Sequence, residues 1–97
     1  MLGIIEFDQI KMDLVNRRLW VRNKEKKPSP KLFNILKFFL LNQGRVLTRN
    51  YLLDQLWEES PKLSEKSVDV HICWLREILE DQAKYLHTIK TYGYRFN

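Results

Sequence analysis

The stretch Ser64-Glu65-Lys66-Ser67-Val68-Asp69-Val70-His71-Ile72-Cys73-Trp74-Leu75-Arg76-Glu77-Ile78-Leu79 decides how the rest of the chain is read. Val68, Ile72, Leu75 and Leu79 recur at i, i+4, i+7 and i+11, the single apolar stripe of a helix that packs on a core. At about 100° per residue the opposite face carries Lys66, Val70, Cys73, Trp74 and Glu77. Ser64 stands at the expected N-cap, and Glu65 puts negative charge into the first turn. Val70 on the outer face is wasted unless it touches something beyond its own domain.

Working toward the N-terminus, two more helices precede this one. Ser29 is a good N-cap, with Pro30 at the first helical position, where its missing N–H costs nothing. Leu32, Phe33, Leu36, Phe39 and Leu40 follow at spacings of three and four, with Ile35 and Phe38 broadening the stripe. Asn42-Gln43-Gly44 ends this helix, Gly44 being the expected C-cap. Residues 45–47 read as extended, Thr48 as the next N-cap, and residues 49–57 as a second helix with Leu52, Leu53, Leu56 and Trp57 apolar. Ser60-Pro61 marks residues 58–63 as a loop.

Before Ser29 the period is two. Residues 3–7 are apolar, and Met12, Leu14, Leu19 and Val21 alternate with polar neighbours around a turn at Asn16-Arg17. A second turn is expected at Asn23-Lys24, and residues 25–27 as a short last strand before Pro28. This predicts a small antiparallel meander with one apolar and one basic face. Beyond Asp81-Gln82 the period returns to two, with residues 86–90 and 94–96 as strands around a turn at Thr91-Tyr92-Gly93. Trp20 and Trp57, among apolar neighbours, are expected in the core. The whole is an α+β pattern. A loop-joined helix pair whose second member presents an exposed aromatic reads as a helix-turn-helix variant, and the closing hairpin as its wing.

Composition bounds the function. Ninety-seven residues suffice for one small domain, and 44% hydrophobic with 30% charged residues is a globular balance. The longest apolar run, residues 38–41, is too short for a membrane span, and residues 1–6 lack the features of a signal peptide. One cysteine, Cys73, cannot make an internal disulfide and suits a reducing cytoplasm. Cys73, His71 and His87 are too few for a structural zinc site, and no cofactor motif is present. Cys73 and His71 lie about 200° apart around their helix, so they do not form a nucleophile–base pair, and the chain does not read as an enzyme. The net charge of +5 favours a polyanionic partner. Its densest cluster is Arg17, Arg18, Arg22, Lys24, Lys26, Lys27 and Lys31, which reads either as a docking patch for a neighbour or as a solvated strand-and-turn surface.

Several blocks, in order, resemble the OmpR/PhoB-type winged-helix effector domain of bacterial response regulators. They are Gln43-Gly44-Arg45-Val46-Leu47-Thr48-Arg49 with Leu52-Leu53 and Leu56-Trp57, then Ser67-Val68-Asp69-Val70-His71-Ile72 with Leu75-Arg76, then Thr88-Ile89 and Gly93-Tyr94-Arg95-Phe96. The resemblance is strong over residues 29–96 and loose over the meander. It implies one DNA-binding domain over residues 1–97 of a two-component transcription regulator, normally placed behind a phosphorylated receiver domain. No receiver lies within these residues, so the expectation is an excised effector domain, or else a stand-alone variant. Double-stranded promoter DNA, RNA polymerase and a second copy on repeated half-sites are the implied partners, with no membrane.

In the resembling proteins the third helix enters the major groove and the wing reaches the adjacent minor groove. Position by position, the implied DNA contacts are Lys66, Ser67, Val70, His71, Cys73, Trp74 and Arg76 on the helix, and Thr88, Lys90, Thr91 and Tyr92 on the wing. Thr48 and Arg49 place a helix N-terminus and a cation where a phosphate could sit. Glu58, Glu59, Ser60, Pro61 and Lys62 correspond to the segment that family members use to touch RNA polymerase, and equally fit a solvated loop. Ser67 suits a phosphate or the helix cap; His71 suits a phosphate or a bond within its own domain; Arg76 suits a phosphate or a surface ion pair. Cys73 and Trp74 stand where the family usually carries Arg or another polar residue, Thr91 where it has Gly, and Lys90 where it has Arg. Residues 65–80 carry two basic and four acidic side chains, poor charge for a DNA-reading helix. The second functional class left open is a winged helix that binds protein rather than DNA.

Overall fold

The change of period at Ser29 separates a four-stranded sheet from the helices it covers. The structure, a computed structural model, describes residues 3–57 and 64–97. Strands β1 (Ile4–Phe7), β2 (Ile10–Asp13), β3 (Arg18–Val21) and β4 (Lys24–Lys26) pair antiparallel in chain order. Ile10 faces Val21 and Met12 faces Leu19 across the ladder, and all four are buried, as alternation demands. The β3–β4 turn falls at Arg22-Asn23, one residue earlier than expected. Both have positive φ, +51° and +66°, the two-residue geometry that matches strand twist. Arg22 is held there because its N–H donates to the Gln9 carbonyl at 2.9 Å and its guanidinium grips Asp81. Trp20 departs from the core assignment. It is half-buried on the outer face, with the Lys11 and Arg18 cations 5.5 and 4.8 Å from its ring.

Helix α1 (Pro30–Leu41) starts as anticipated, with Ser29 Oγ accepting from the Leu32 N–H at 3.2 Å. Its cap at the other end is Asn42, not Gly44: Asn42 Nδ2 donates to the Phe38 carbonyl at 2.7 Å, closing the helix two residues sooner. Gly44, at φ +82°, instead turns the chain so that its N–H reaches the Phe96 carbonyl. A two-residue strand, β5 (Leu47–Thr48), leads into α2 (Arg49–Leu56), capped by Thr48 Oγ1 accepting from the Tyr51 N–H. Helix α3 (Glu65–Leu79) buries Val68, Ile72, Leu75 and Leu79. Ser64 precedes it without making a side-chain cap bond; its carbonyl accepts from the Ser67 N–H instead.

A 3-10 helix, Glu80–Tyr85, follows where the sequence marks only a change of period at Asp81-Gln82. Glu-Asp-Gln-Ala-Lys-Tyr has no apolar period to announce it, and its bonds run to the distant first sheet. Arg22 pairs with Asp81 at 2.5 Å, Lys26 with Glu80 at 2.5 Å, and Tyr85 Oη donates to Asp8 at 2.8 Å. Strands β6 (Leu86–Ile89) and β7 (Gly93–Phe96) close the chain as a hairpin, with β5 on the far side of β7. A Cβ at Gly93 would lie 2.1 Å from the Leu47 carbonyl oxygen, so glycine alone lets β5 lie this close to β7. The hairpin turn is Lys90-Thr91-Tyr92, again one residue earlier than expected, with Thr91 at φ +70°. A β-branched residue in that region costs about 1–2 kcal/mol. The tip is therefore strained rather than relaxed by a glycine. One core cluster joins the sheet residues Met12 and Leu19 to Phe39, Leu75, Leu79 and Phe96.

Candidate nucleic-acid interface

Helix α3 has two unlike sides. The core stripe is at most 1% exposed, whereas Val70 and Trp74 are 45% and 48% exposed, and Lys66, Cys73 and Glu77 lie open beside them. The outward direction expected for these five residues is the one observed. Trp74 is exposed but not loose. Its ring meets His71 edge-on at 5.0 Å, and His71 in turn meets Trp57 at 5.1 Å. His71 Nδ1 lies 2.7 Å from the Ser67 carbonyl oxygen, an acceptor, so that nitrogen carries the proton. Of the two roles open to His71, the structure shows the intramolecular one.

The helix is lashed to its neighbours by polar groups. Asp69 Oδ1 accepts from Arg49 Nε of α2 at 2.8 Å and from Tyr94 Oη of β7 at 2.5 Å. Burial pushes the Asp69 carboxyl pKa up, but the bonds from Tyr94 and Arg49 and the guanidinium charge outweigh it and hold it below its ordinary value. Burial and the same hydrogen bond push the Tyr94 phenol up. Arg76 Nη2 donates to the Leu86 carbonyl at 2.7 Å and to Thr88 Oγ1 at 2.9 Å, tying α3 to the first strand of the wing. Arg76 is thus engaged within the domain, and Thr88 is its acceptor. Asp69 and Tyr94 were not among the expected site residues. The signal was present: a tyrosine on a buried strand needs a partner for its hydroxyl.

Three segments meet at this surface. The first turn of α2 adjoins the wing through the Arg49 N–H and the Tyr92 carbonyl at 3.4 Å. Lys90, Thr91 and Tyr92 are exposed at the wing tip, and Thr48 is exposed beside them in sequence to Arg49. Ser67 is half-buried at the start of α3. Glu58, Glu59, Ser60, Pro61 and Lys62 lie outside the described residues. Among the described residues, no group of three or more His, Cys, Asp or Glu is placed to hold a metal ion, and no helix is long and apolar enough to cross a membrane.

The basic cluster on the first sheet is different in kind. Arg18 pairs with Glu25 at 2.9 Å, Arg22 with Asp81, Lys26 with Glu80 and Lys27 with Glu25 at 3.7 Å. Arg17 donates to Asn34 Oδ1 and Lys31 to the Leu56 carbonyl. Most of the cations that looked like a docking patch are bonded within the domain.

A sequence profile of the family described as transcriptional regulatory protein, C terminal, matches residues 23–96. The chain belongs to this family. It is a winged-helix domain of the response-regulator type of DNA-binding transcription regulator. The phosphate regulon transcriptional regulatory protein PhoB of Pseudomonas aeruginosa is 35% identical over 94 residues, covering 96% of this chain and 41% of that protein. The response regulator DrrB of Thermotoga maritima, an OmpR/PhoB homolog, superposes with a TM-score of 0.89 at 32% identity, over 98% of this chain and 44% of its own. The RstA DNA-binding domain of Klebsiella pneumoniae, solved in complex with the RstA box, gives 0.80 at 27% identity, with 96% and 95% covered. The chain spans about two fifths of the length of the curated relatives it matches.

Proposed function

We propose that this chain is the DNA-reading part of a regulator of transcription, with α3 in the major groove of promoter DNA and the β6–β7 hairpin in the adjacent minor groove. The observation that carries this reading is the division of α3: a fully buried stripe fixes the helix, while Lys66, Val70, Cys73 and Trp74 face away from their own domain. The ties through Asp69 and Arg76 support it, because they make helix and wing a preformed frame that needs little ordering on binding. Lys66 and Lys90 supply phosphate contacts, with Thr48, Arg49 and Ser67 beside them. Thr91 and Tyr92 meet the minor-groove edge. The solved RstA complex is the precedent for such a domain on its DNA.

In the longer protein that its relatives suggest, a receiver domain would precede this module in the cytoplasm. Residues 58–62 would face RNA polymerase, and two copies would sit on half-sites about 10 base pairs apart. No cofactor is required. The exposed pair Val70 and Trp74 also suits a protein partner, the second reading.

Fluorescence anisotropy of the 97-residue chain with sites selected from random DNA separates the two. A DNA reader loses affinity steeply with salt, log K falling with log salt at a slope of about −2.7 to −3.6 for three or four phosphate contacts. Absence of salt-dependent binding to any selected site would leave the protein-binding reading.

A further inference from the structure

We propose that α3 reads thymine by its 5-methyl group, with Val70, Cys73 and Trp74 forming an apolar contact for methyls on two or three adjacent base pairs. This rests on α3 being the major-groove helix.

The argument begins with what the face lacks. Guanine is most often read by an arginine or lysine donating to its O6 and N7. The only arginine on α3 is Arg76, and its Nη2 is bonded to the Leu86 carbonyl and Thr88. Arg49, on the adjacent helix, is bonded to Asp69. Lys66 is the one cation on the outward face, in the first turn. Adenine is read by Asn or Gln, and α3 has neither.

What the face does have is apolar. Val70 and Trp74 are the large exposed hydrophobics of α3, with exposed Cys73 between them in sequence. They are four residues apart, about 6 Å along the helix axis at about 1.5 Å per residue, close to two base steps of about 3.4 Å. Charge bounds this window, with Lys66 one turn before Val70 and Glu77 beyond Trp74. Trp74 is braced by His71, so its ring offers a fixed surface. Thymine alone among the four bases projects a methyl into the major groove, and apolar side chains recognise it by contact.

The test uses the 97-residue chain and its best half-site selected from random DNA. Each thymine is replaced in turn by deoxyuridine, which removes the methyl and leaves pairing intact. The expected result is about a fourfold loss of affinity at each of two or three adjacent positions and no loss elsewhere. In Val70→Ala and Trp74→Ala, checked for an unchanged thermal melt, the deoxyuridine penalty should disappear at the position each residue contacts. Tight binding that ignores deoxyuridine, or a selected core of guanines, overturns the methyl readout while DNA binding stands. Failure to bind any DNA in the pool overturns both.

Discussion

The first sheet and the third helix carry charge in opposite ways. The sheet and its flank hold the densest basic cluster in the chain, yet Arg18, Arg22, Lys26 and Lys27 all pair with carboxylates of the same domain. Helix α3 is richer in acid than in base, and its one acidic residue nearest the wing, Asp69, is held by Arg49 and Tyr94. Among the described residues that leaves the Lys66 ammonium and the Val70 side chain open, and Trp74 half open with only its ring edge against His71. Net charge along a sequence therefore does not locate a binding surface; side chains that their own fold leaves open do. For this chain the charge-poor region is the better candidate.

The comparison breaks most sharply between two neighbours on α3. Leu75 is 0% exposed and Trp74 is 48% exposed. Leu75→Ala should lower unfolding stability by about 3 kcal/mol in urea denaturation, through lost burial and the cavity left behind. Trp74→Ala should change stability by less than about 0.5 kcal/mol while weakening DNA binding. Equal effects on stability would mean that the outward face is structural. Next in size, Lys90→Ala should weaken all DNA sequences alike and reduce the salt slope by about one unit, whereas Lys26→Ala should leave the slope unchanged. Matching changes in both would restore the sheet as a DNA surface.

The smallest effect concerns the sheet alone. Hydrogen bonds from Arg22 hold the Asp81 carboxyl pKa at about 2, below its ordinary value of 3.8. A depressed carboxyl stabilises the fold fully above its unfolded value and loses that contribution as pH falls through the folded one. The Arg22–Asp81 tie should therefore weaken between about pH 4 and pH 2, and Asp81→Asn should remove that part of the acid dependence of the thermal midpoint. Both side chains are about half exposed, so the change in the thermal midpoint is modest.

Local signals carried most of this fold. The Ser29-Pro30 start, the Thr48 cap and the Val68, Ile72, Leu75, Leu79 stripe are each set by residues within a turn of one another, and all three stand in the structure. What sequence could not supply were features set at long range. Arg22 enters the left-handed region because Gln9 and Asp81 hold it there, which moved the β3–β4 turn by one residue. The 3-10 helix exists through bonds to the first sheet, and Arg76 turns inward because the wing offers a carbonyl. In the site, the outward residues of α3 follow from helical geometry alone. The partners that fix Asp69 and Arg76 come from three other elements, α2, β6 and β7, and periodicity says nothing of them, whereas His71 bonds to the Ser67 carbonyl one turn back in its own helix.

The claim that α3 and the wing, not the basic sheet, bind DNA is tested most directly by amide chemical shifts of the 97-residue chain titrated with a selected half-site. Perturbation should concentrate in residues 66–77 and 88–92 and leave β2 through β4 unmoved. Perturbation concentrated in residues 17–31, with α3 unchanged, would contradict it.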